Sequence, residues 1–491
     1  MALTKVKSGG ITDATIATED IAADAITGNQ IADDAIDSEH LANGCINNSN
    51  FFQGTIVNSA ALSSNAVATA KIADGAVTNA KIASGAVGTN KLASGAVGSG
   101  EIATGSIVNS NINNSAAISG SKLADDSISL AKLEVSRIGR NVIVNGAMQV
   151  AQRGTSFTNI ANTGVIGSVD RMMMVGAGLD ELAFAGKQTS DGPDGFKKCF
   201  EFDVTTAENA LGADDLCYIR YKIEGQDLTS FYNANGTGKN FVLSFYVKAY
   251  QAGTYQLNIY KPNGGRFISK TYSIASSGVW QRIEVPFTGD TNTSGINDDN
   301  GAGLNIAWML VAGTDYTSAG VLPNWGGWPG NSGFAGGQAV NVASSTNNYF
   351  RITGIQLELG DTATDFEHRS FADELLKCQR YYENVKGASY NNSNEVLVAN
   401  GFNYTTNRVI GSFQFKAEKR ARPSTSTDDA SEVQVLKSNA GWYSAGSFGG
   451  NSNIYCTRLD CTSISTSPLT LGHASEIRLI NDGIIHFDAE L

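Results

Sequence analysis

Histidine, proline and charge are all scarce in this chain. It has 4 His and 7 Pro in 491 residues, and charged residues make up 17%. The His are scattered, and HExxH, GxSxG and a phosphate-binding Gly/Lys loop are all missing, so no hydrolase or nucleotide site is legible and a non-enzymatic protein is expected. Cations are outnumbered, with 35 Lys+Arg against 47 Asp+Glu and a net charge of −12, and no basic stripe stands out. That argues against a nucleic-acid partner. No run is long and apolar enough for a transmembrane helix. The opening MALTKVKSGG lacks the apolar core and cleavage pattern of a secretion signal, so assembly in a cytoplasm is expected. The six Cys (Cys45, Cys199, Cys217, Cys378, Cys456, Cys461) include no CxxC pair and have no His pair nearby, so they read as isolated thiols. No cofactor and no metal are expected.

What is present is a beat. From Ile11 an aliphatic residue recurs at every fifth position, as in Ile11, Ile16, Ile21, Ile26, Ile31 and Ile36. After a slip of one residue it resumes at Leu62, Val67, Ile72, Val77 and Ile82, and it runs to about Ile143 after a second slip. A period of ten lies on top, clearest in KIADGAVTNA and KIASGAVGTN. An α-helix turns about 100° per residue, so a five-residue beat draws no stripe on it. A straight strand would flip the mark from face to face. The period works only if the chain bends once per repeat, with Gly, Asn, Asp and Ser making the bends. The neighbours of each mark are mostly Ala, Gly or Ser, so one chain buries too little apolar area to hold itself. Several copies around one axis, a homotrimer, supply the missing surface. A monomeric pentapeptide solenoid is the competing reading.

Near Arg137 to Asn145 the beat stops and aromatics begin. Alternating runs come next, among them Phe241–Lys248, Gln281–Phe287, Leu304–Val311 and Phe350–Leu359, separated by Gly/Asn-rich turns. This pattern predicts an antiparallel β-sandwich. Ser370 is placed to cap one helix through Leu375, Leu376, Gln379 and Tyr382, with Gly387 beyond its end. From Val385 to Leu491 a smaller β-domain is expected, with strands at Val396–Asn400, Val409–Lys416, Val433–Leu436, Ile454–Leu459 and Ile477–Asp488.

NVIVNGAMQVAQRGTSF, then VDR at 169–171, and later FRITGIQLELGDTATDFEHRS followed by ELLKCQRYYE, resemble the receptor-binding region of phage tail fibre proteins. The resemblance spans roughly Asn141 to Glu383. It implies a jelly roll similar to carbohydrate-binding modules, and the repeat is similar to fibre shafts. Met172 follows Arg171 where the family often has an aromatic. Arg171, Asp170, Gln356 and Glu358 read as fold-holding rather than ligand-holding.

Candidate ligand residues are aromatic, since sugar C–H faces stack on rings while hydroxyls bond to amides and carboxylates. NWGGWPGN offers Trp325 and Trp328 with Asn324 and Asn331; the alternative is that these tryptophans cover a sandwich edge or a neighbouring subunit. Trp442 and Tyr443 form a second candidate at the carboxy-terminal tip, where a trimerisation cap is the other reading. Trp280 and Trp308 lie in alternating strands and read as core or sheet-face residues. Asp290, Asn292, Asp298, Asp299 and Asn300 could offer oxygen to calcium, but the spacing is not that of an EF-hand and a solvated turn is expected.

The expected organisation is all-β: a virion-attachment segment (1–10), an elongated trimeric β-repeat shaft (11–139), a jelly-roll sandwich with a short helix (140–384) and a tip β-domain (385–491). The expected protein is a phage tail fibre that docks on other tail proteins by its amino end. It would bind host surface polysaccharide or lipopolysaccharide through its carboxy-terminal domains, acting in the virion outside the host cell. A tailspike-like depolymerase and a ligand-free spacer or decoration fibre are the alternatives.

Overall fold

A computed structural model describes residues 17–40, 72–88, short pieces between 91 and 112, and 139–490 apart from 161–164, 167, 209, 388–394, 438–440 and 465–467. The expected attachment segment 1–10 and the repeats at 41–71 and 113–138 lie outside the described residues. The chain divides into two units, Met1–Leu123 and Ala124–Leu491.

In the first unit the described ten-residue repeats are two turns in alternation. One is a short 3-10 turn, at Thr18–Asp20, Gly28–Gln30, Ser38–His40 and Asn79–Lys81. The other closes Ala25 N on Ala22 O, with the same 3.0 Å bond at Ala35, Ala76 and Ala86. Its third residue is left-handed, with φ 62° at Asp24 and Asp34, 73° at Gly75 and 76° at Gly85. That conformation is why Asp and Gly exchange at this place in the repeat. The residue before alternate marks caps the 3-10 turn. Asp20 Oδ2 accepts from Ala17 N, Gln30 Oε1 from Thr27 N and Asn111 Oδ1 from Val108 N, each at 2.9 Å. Lys81 has no acceptor to offer, and its Nζ donates to Ala76 O at 2.7 Å instead.

No strand occurs among the described repeat residues, which corrects the expectation of a β-repeat. The recurring backbone bonds close over three residues, and a five-residue step leaves no extended row for a ladder. The described marks also stay exposed, from 38% at Ile31 to 58% at Ile107. A one-chain solenoid would need them inside, so that reading does not describe these residues.

The second unit is all-β and holds two principal cores. The larger is a jelly-roll sandwich. One sheet runs, in spatial order, Ser156–Ile160, Ala183–Thr189, Cys199–Thr206, Tyr349–Leu359, Phe241–Ala249 and Gln281–Phe287. The facing sheet runs Gly326–Gly327, Arg266–Ile274, Gly253–Lys261, Ala302–Ala312, Leu216–Glu224, Met173–Ala177 and Val165–Ile166. Successive strands cross repeatedly between the sheets, and the alternate residues they point inward form the core, with Phe200, Phe245, Ile306 and Trp308 all fully buried. Trp308 meets Phe245 edge-on at 5.8 Å. Met172, at the position where the resemblance shows its departure, is in this core.

The motifs carrying the resemblance are bonded to one another. Asn141 receives Leu357 N at 3.1 Å, donates to Ile355 O at 3.1 Å, and its own N–H reaches Glu367 at 2.8 Å. Gln356 donates to Glu358 at 2.7 Å. Arg171 is buried with a left-handed φ of 75°, pairs with Glu490, donates to Lys222 O at 2.6 Å, and lies 3.5 Å from the centre of the Tyr381 ring. These residues hold the fold, and they fix the carboxy-terminal strand against the sandwich.

Ser370 caps a helix over Phe371–Gln379, accepting from Asp373 N at 3.2 Å. The helix ends earlier than expected. Tyr382 opens the strand Tyr382–Lys386, which pairs with Ile484–Asp488 in a three-stranded sheet completed by Ser424–Thr427. That sheet covers a seven-stranded one ordered Gly441–Ser444, Val433–Lys437, Ala474–Leu479, Val396–Thr405, Arg408–Gln414, Cys456–Thr462 and Ser447–Ser452. Val409, Leu459, Ile477 and Phe487 are at the centre of this second core. The run expected as one strand, Ile477–Asp488, is two, broken at Asn481 with φ 51°.

Candidate functional site

The outer face of the seven-stranded sandwich sheet is not left to water. Positions 256, 258 and 269 face outward and carry Gln256, Asn258 and Ser269, each almost wholly buried. They fasten a crossing loop: Gln256 and Asn258 donate to Phe334 O at 2.8 and 2.7 Å, and Leu322 N donates to Ser269 Oγ at 2.8 Å. Phe334 then packs on Phe267, Met309 and Tyr218 as a small extra core.

Between this loop and the sheet a cleft of about 310 Å³ remains open, within the range of small-ligand sites. Its walls are Tyr218, Tyr260, Trp328 and Phe334, and its floor is Arg220, Asn258, Asn305 and Ala307. Strand register explains the hollow. Ala307 stands opposite both Arg220 and Asn258, so a methyl group occupies the middle of the row where its neighbours carry long side chains. Trp328 is 47% exposed and meets Tyr260 edge-on at 5.2 Å and Phe334 at 5.3 Å. Two polar atoms in the floor, Arg220 Nε and Asn305 Oδ1, are buried with no partner. Burial raises the Tyr218 hydroxyl pKa, against the opposing charge of Arg220. An exposed indole face beside a polar floor suits a sugar ring.

The structure separates the candidates. Trp328 lines the cleft. Trp325 packs on the sandwich core and donates Nε1 to Thr288 O at 2.7 Å, so its ring is spent on the fold. Asn324 is exposed outside the cleft, and Asn331 opens a 3-10 turn, its carbonyl accepting from Phe334 N at 2.9 Å. Trp442 lies under the Arg478 guanidinium, 3.8 Å from it, on an edge strand, and Tyr443 packs on the second core. A hollow of about 480 Å³ on the same carboxy-terminal sheet is lined by Phe402, Ile410, Asn451 and Arg458, away from both.

The loop considered for calcium is occupied by the protein's own cations. Asp290 is buried, with Lys261 Nζ at 2.9 Å and Arg266 at 3.0 Å, so it is not part of a solvated turn. Burial raises its pKa, but the hydrogen bonds from Arg266 and Lys261 more than offset that and hold it below the ordinary carboxylate value. Trp308 is core, and Trp280 donates to Asp191 at 3.4 Å. Cys456 and Cys461 are free thiols on one strand, an odd number of residues apart and so on opposite faces. Among the described residues no cluster of His, Cys, Asp and Glu is arranged for a metal.

No protein-family model matches the chain, and no curated protein matches it by sequence. Solved structures do resemble part of it. One is the enzymatically active domain of tailspike protein 4 of bacteriophage CBA120, at 12% identity and a TM-score of 0.24, over 45% of this chain and 22% of that one. Another is the family 11 carbohydrate-binding module of Clostridium thermocellum in complex with a β-1,3-1,4-mixed-linked tetrasaccharide, at 15% identity and a TM-score of 0.22, over 44% of this chain and 99% of that one. A family 30 carbohydrate-binding module resembles it at 10% identity and a TM-score of 0.22, over 44% and 92%.

Proposed function

We propose that the chain is a non-enzymatic phage tail fibre protein that binds glycan through the cleft on the outer face of its sandwich. The observation that carries this is the cleft itself: a half-exposed Trp328 and two tyrosines over a floor whose Arg220 and Asn305 hold unfilled hydrogen-bonding atoms. The exposed marks of the repeat support the shaft as a homotrimer, since each copy offers its neighbours the aliphatic surface that it cannot cover itself. Three linked clefts then raise avidity for a repeating host-surface polysaccharide or lipopolysaccharide without further chemistry. In this reading the amino end docks on other tail proteins and the protein works in the virion, outside the host cell.

The test is binding of the full chain to immobilised bacterial envelope polysaccharides. Saturable binding is expected, weakened about tenfold or more by Trp328→Ala and unchanged by Trp442→Ala. Absence of saturable binding by the folded protein overturns the proposal. Shortening of the polymer during the assay points to the depolymerase instead.

A further inference from the structure

We infer that the sugar taken by this cleft is acidic, and that Arg220 receives its carboxylate. The inference rests on the glycan-binding reading above and narrows it to a class of ligand.

The chain has more acids than bases, and its other enclosed arginines show what that excess does. Arg153 pairs with Asp488, Arg171 with Glu490, Arg351 with Glu201, Arg369 with Glu374 and Arg380 with Glu224. Two arginines depart from this pattern: Arg420, whose donors all go to backbone carbonyls, and Arg220, which faces a cleft. Arg220 Nη2 meets the thioether of Met173 at 2.6 Å, a weak acceptor, the guanidinium also bonds the Tyr218 side chain, and Nε is buried without a partner, so no carboxylate is among its contacts. None of the residues lining the cleft is acidic. A partly enclosed guanidinium without an anion is costly, and the cleft opening is the side from which an anion can reach its Nη atoms.

The neighbours add to the effect. Lys222 lies two residues along the same strand, facing the same way, and stands opposite Asn305 of the cleft floor. Burial and the nearby charges of Arg220, Arg171 and Arg420 push the Lys222 pKa down, against the opposing charge of Glu490, so cations outnumber anions around it. Asn305 stands in turn opposite Tyr260, so cation, amide acceptor and aromatic ring succeed one another along one row. A pyranose carrying a carboxylate matches that order: ring face on the exposed Trp328, hydroxyls beside Tyr260 and Asn305, and the acid group to the Nη donors of Arg220.

The same donors would meet a sulfate, so the test separates the two. The full chain is titrated with polygalacturonate, alginate, hyaluronate and polysialate, with each polymer after chemical reduction of its carboxyls, and with dextran sulfate. Expected is binding of at least one carboxylated polymer about tenfold or more tighter than its reduced form. Arg220→Gln should erase that difference, Lys222→Gln should lessen its salt dependence, and Trp328→Ala should weaken both forms. Equal binding of native and reduced polymers, with no effect of Arg220→Gln in a protein of unchanged melting temperature, overturns the inference and leaves the glycan-binding reading standing. Dextran sulfate binding as tightly as any uronate overturns the carboxylate assignment. Binding of no polymer by the folded chain overturns the acidic-sugar inference, while the glycan-binding reading stands or falls on the envelope-polysaccharide assay above.

Discussion

In the repeat, Ala25 N closes on Ala22 O and the neighbouring Ile26 remains 54% exposed. In the sandwich, Ile306 stands opposite Tyr221 from a distant strand and is fully buried. Both regions have recurring backbone bonds among their described residues. Only the second gathers its side chains as it does so, because a ladder brings strands from far along the chain side by side, whereas a three-residue turn brings together only its own ends. The repeat therefore has order without a core. Under the proposed assembly its stability is a property of several chains, while that of the sandwich belongs to one.

The largest test of that contrast lies at Arg171. Replacing it with Ala leaves the enclosed Glu490 with Arg153 alone, at 3.4 Å, and about 3 kcal/mol of unfolding free energy should be lost in denaturant titration of the carboxy-terminal unit. A loss under about 1 kcal/mol would show that the contact is as slight as an exposed pair. Trp308→Ala should cost about as much, by opening a cavity against Phe245.

A pH effect of intermediate size comes from Asp170. Burial pushes it up to about 6, against the hydrogen bonds of Gln152 and the charge of Arg153. Its folded value thus lies above its unfolded one, and the folded state holds the proton more tightly. The stability contributed by this group is full below about pH 4 and is lost as pH rises through about 6. Asp170→Asn should flatten the stability profile in that window; an unchanged slope would place the titration elsewhere.

The smallest effect on the sandwich is expected from the repeat. Ser in place of Ile72, Ile82, Leu92 and Ile102 should leave the melting of the carboxy-terminal unit unchanged. Sedimentation and limited proteolysis of the same variant should show loosened association and faster cleavage within residues 72–112. Unaltered resistance to protease would mean that these marks bury nothing in the assembly.

Much of the fold is legible in the order of residues alone. The alternation of Phe241, Leu243, Phe245 and Val247 and the cap at Ser370 both act within a few residues, and both appear as expected. The strand Ala183–Thr189 is not legible, because Gly186 reads as a turn residue. The glycine packs beneath the Met174 side chain, whose methyl lies 2.5 Å from where a Cβ would stand, a contact made only when the two sheets come together. Arg220 escapes notice for a similar reason. An Arg at an outward strand position looks like any solvated one until the crossing loop and Met173 are seen to enclose it.

The sequence by itself determined the turn chemistry of the repeat, the all-β class of the chain beyond residue 140 and the faces of its strands. All of these depend on residues within reach of one another along the chain. Only the tertiary structure decided that Trp328 faces a cleft while Trp325, three residues earlier, packs on the core. It also decided that Asp290 serves Lys261 and Arg266 rather than solvent, and that Arg220 has no acid of its own. Burial and pairing depend on which distant segments arrive at a side chain, and no spacing within a strand records that.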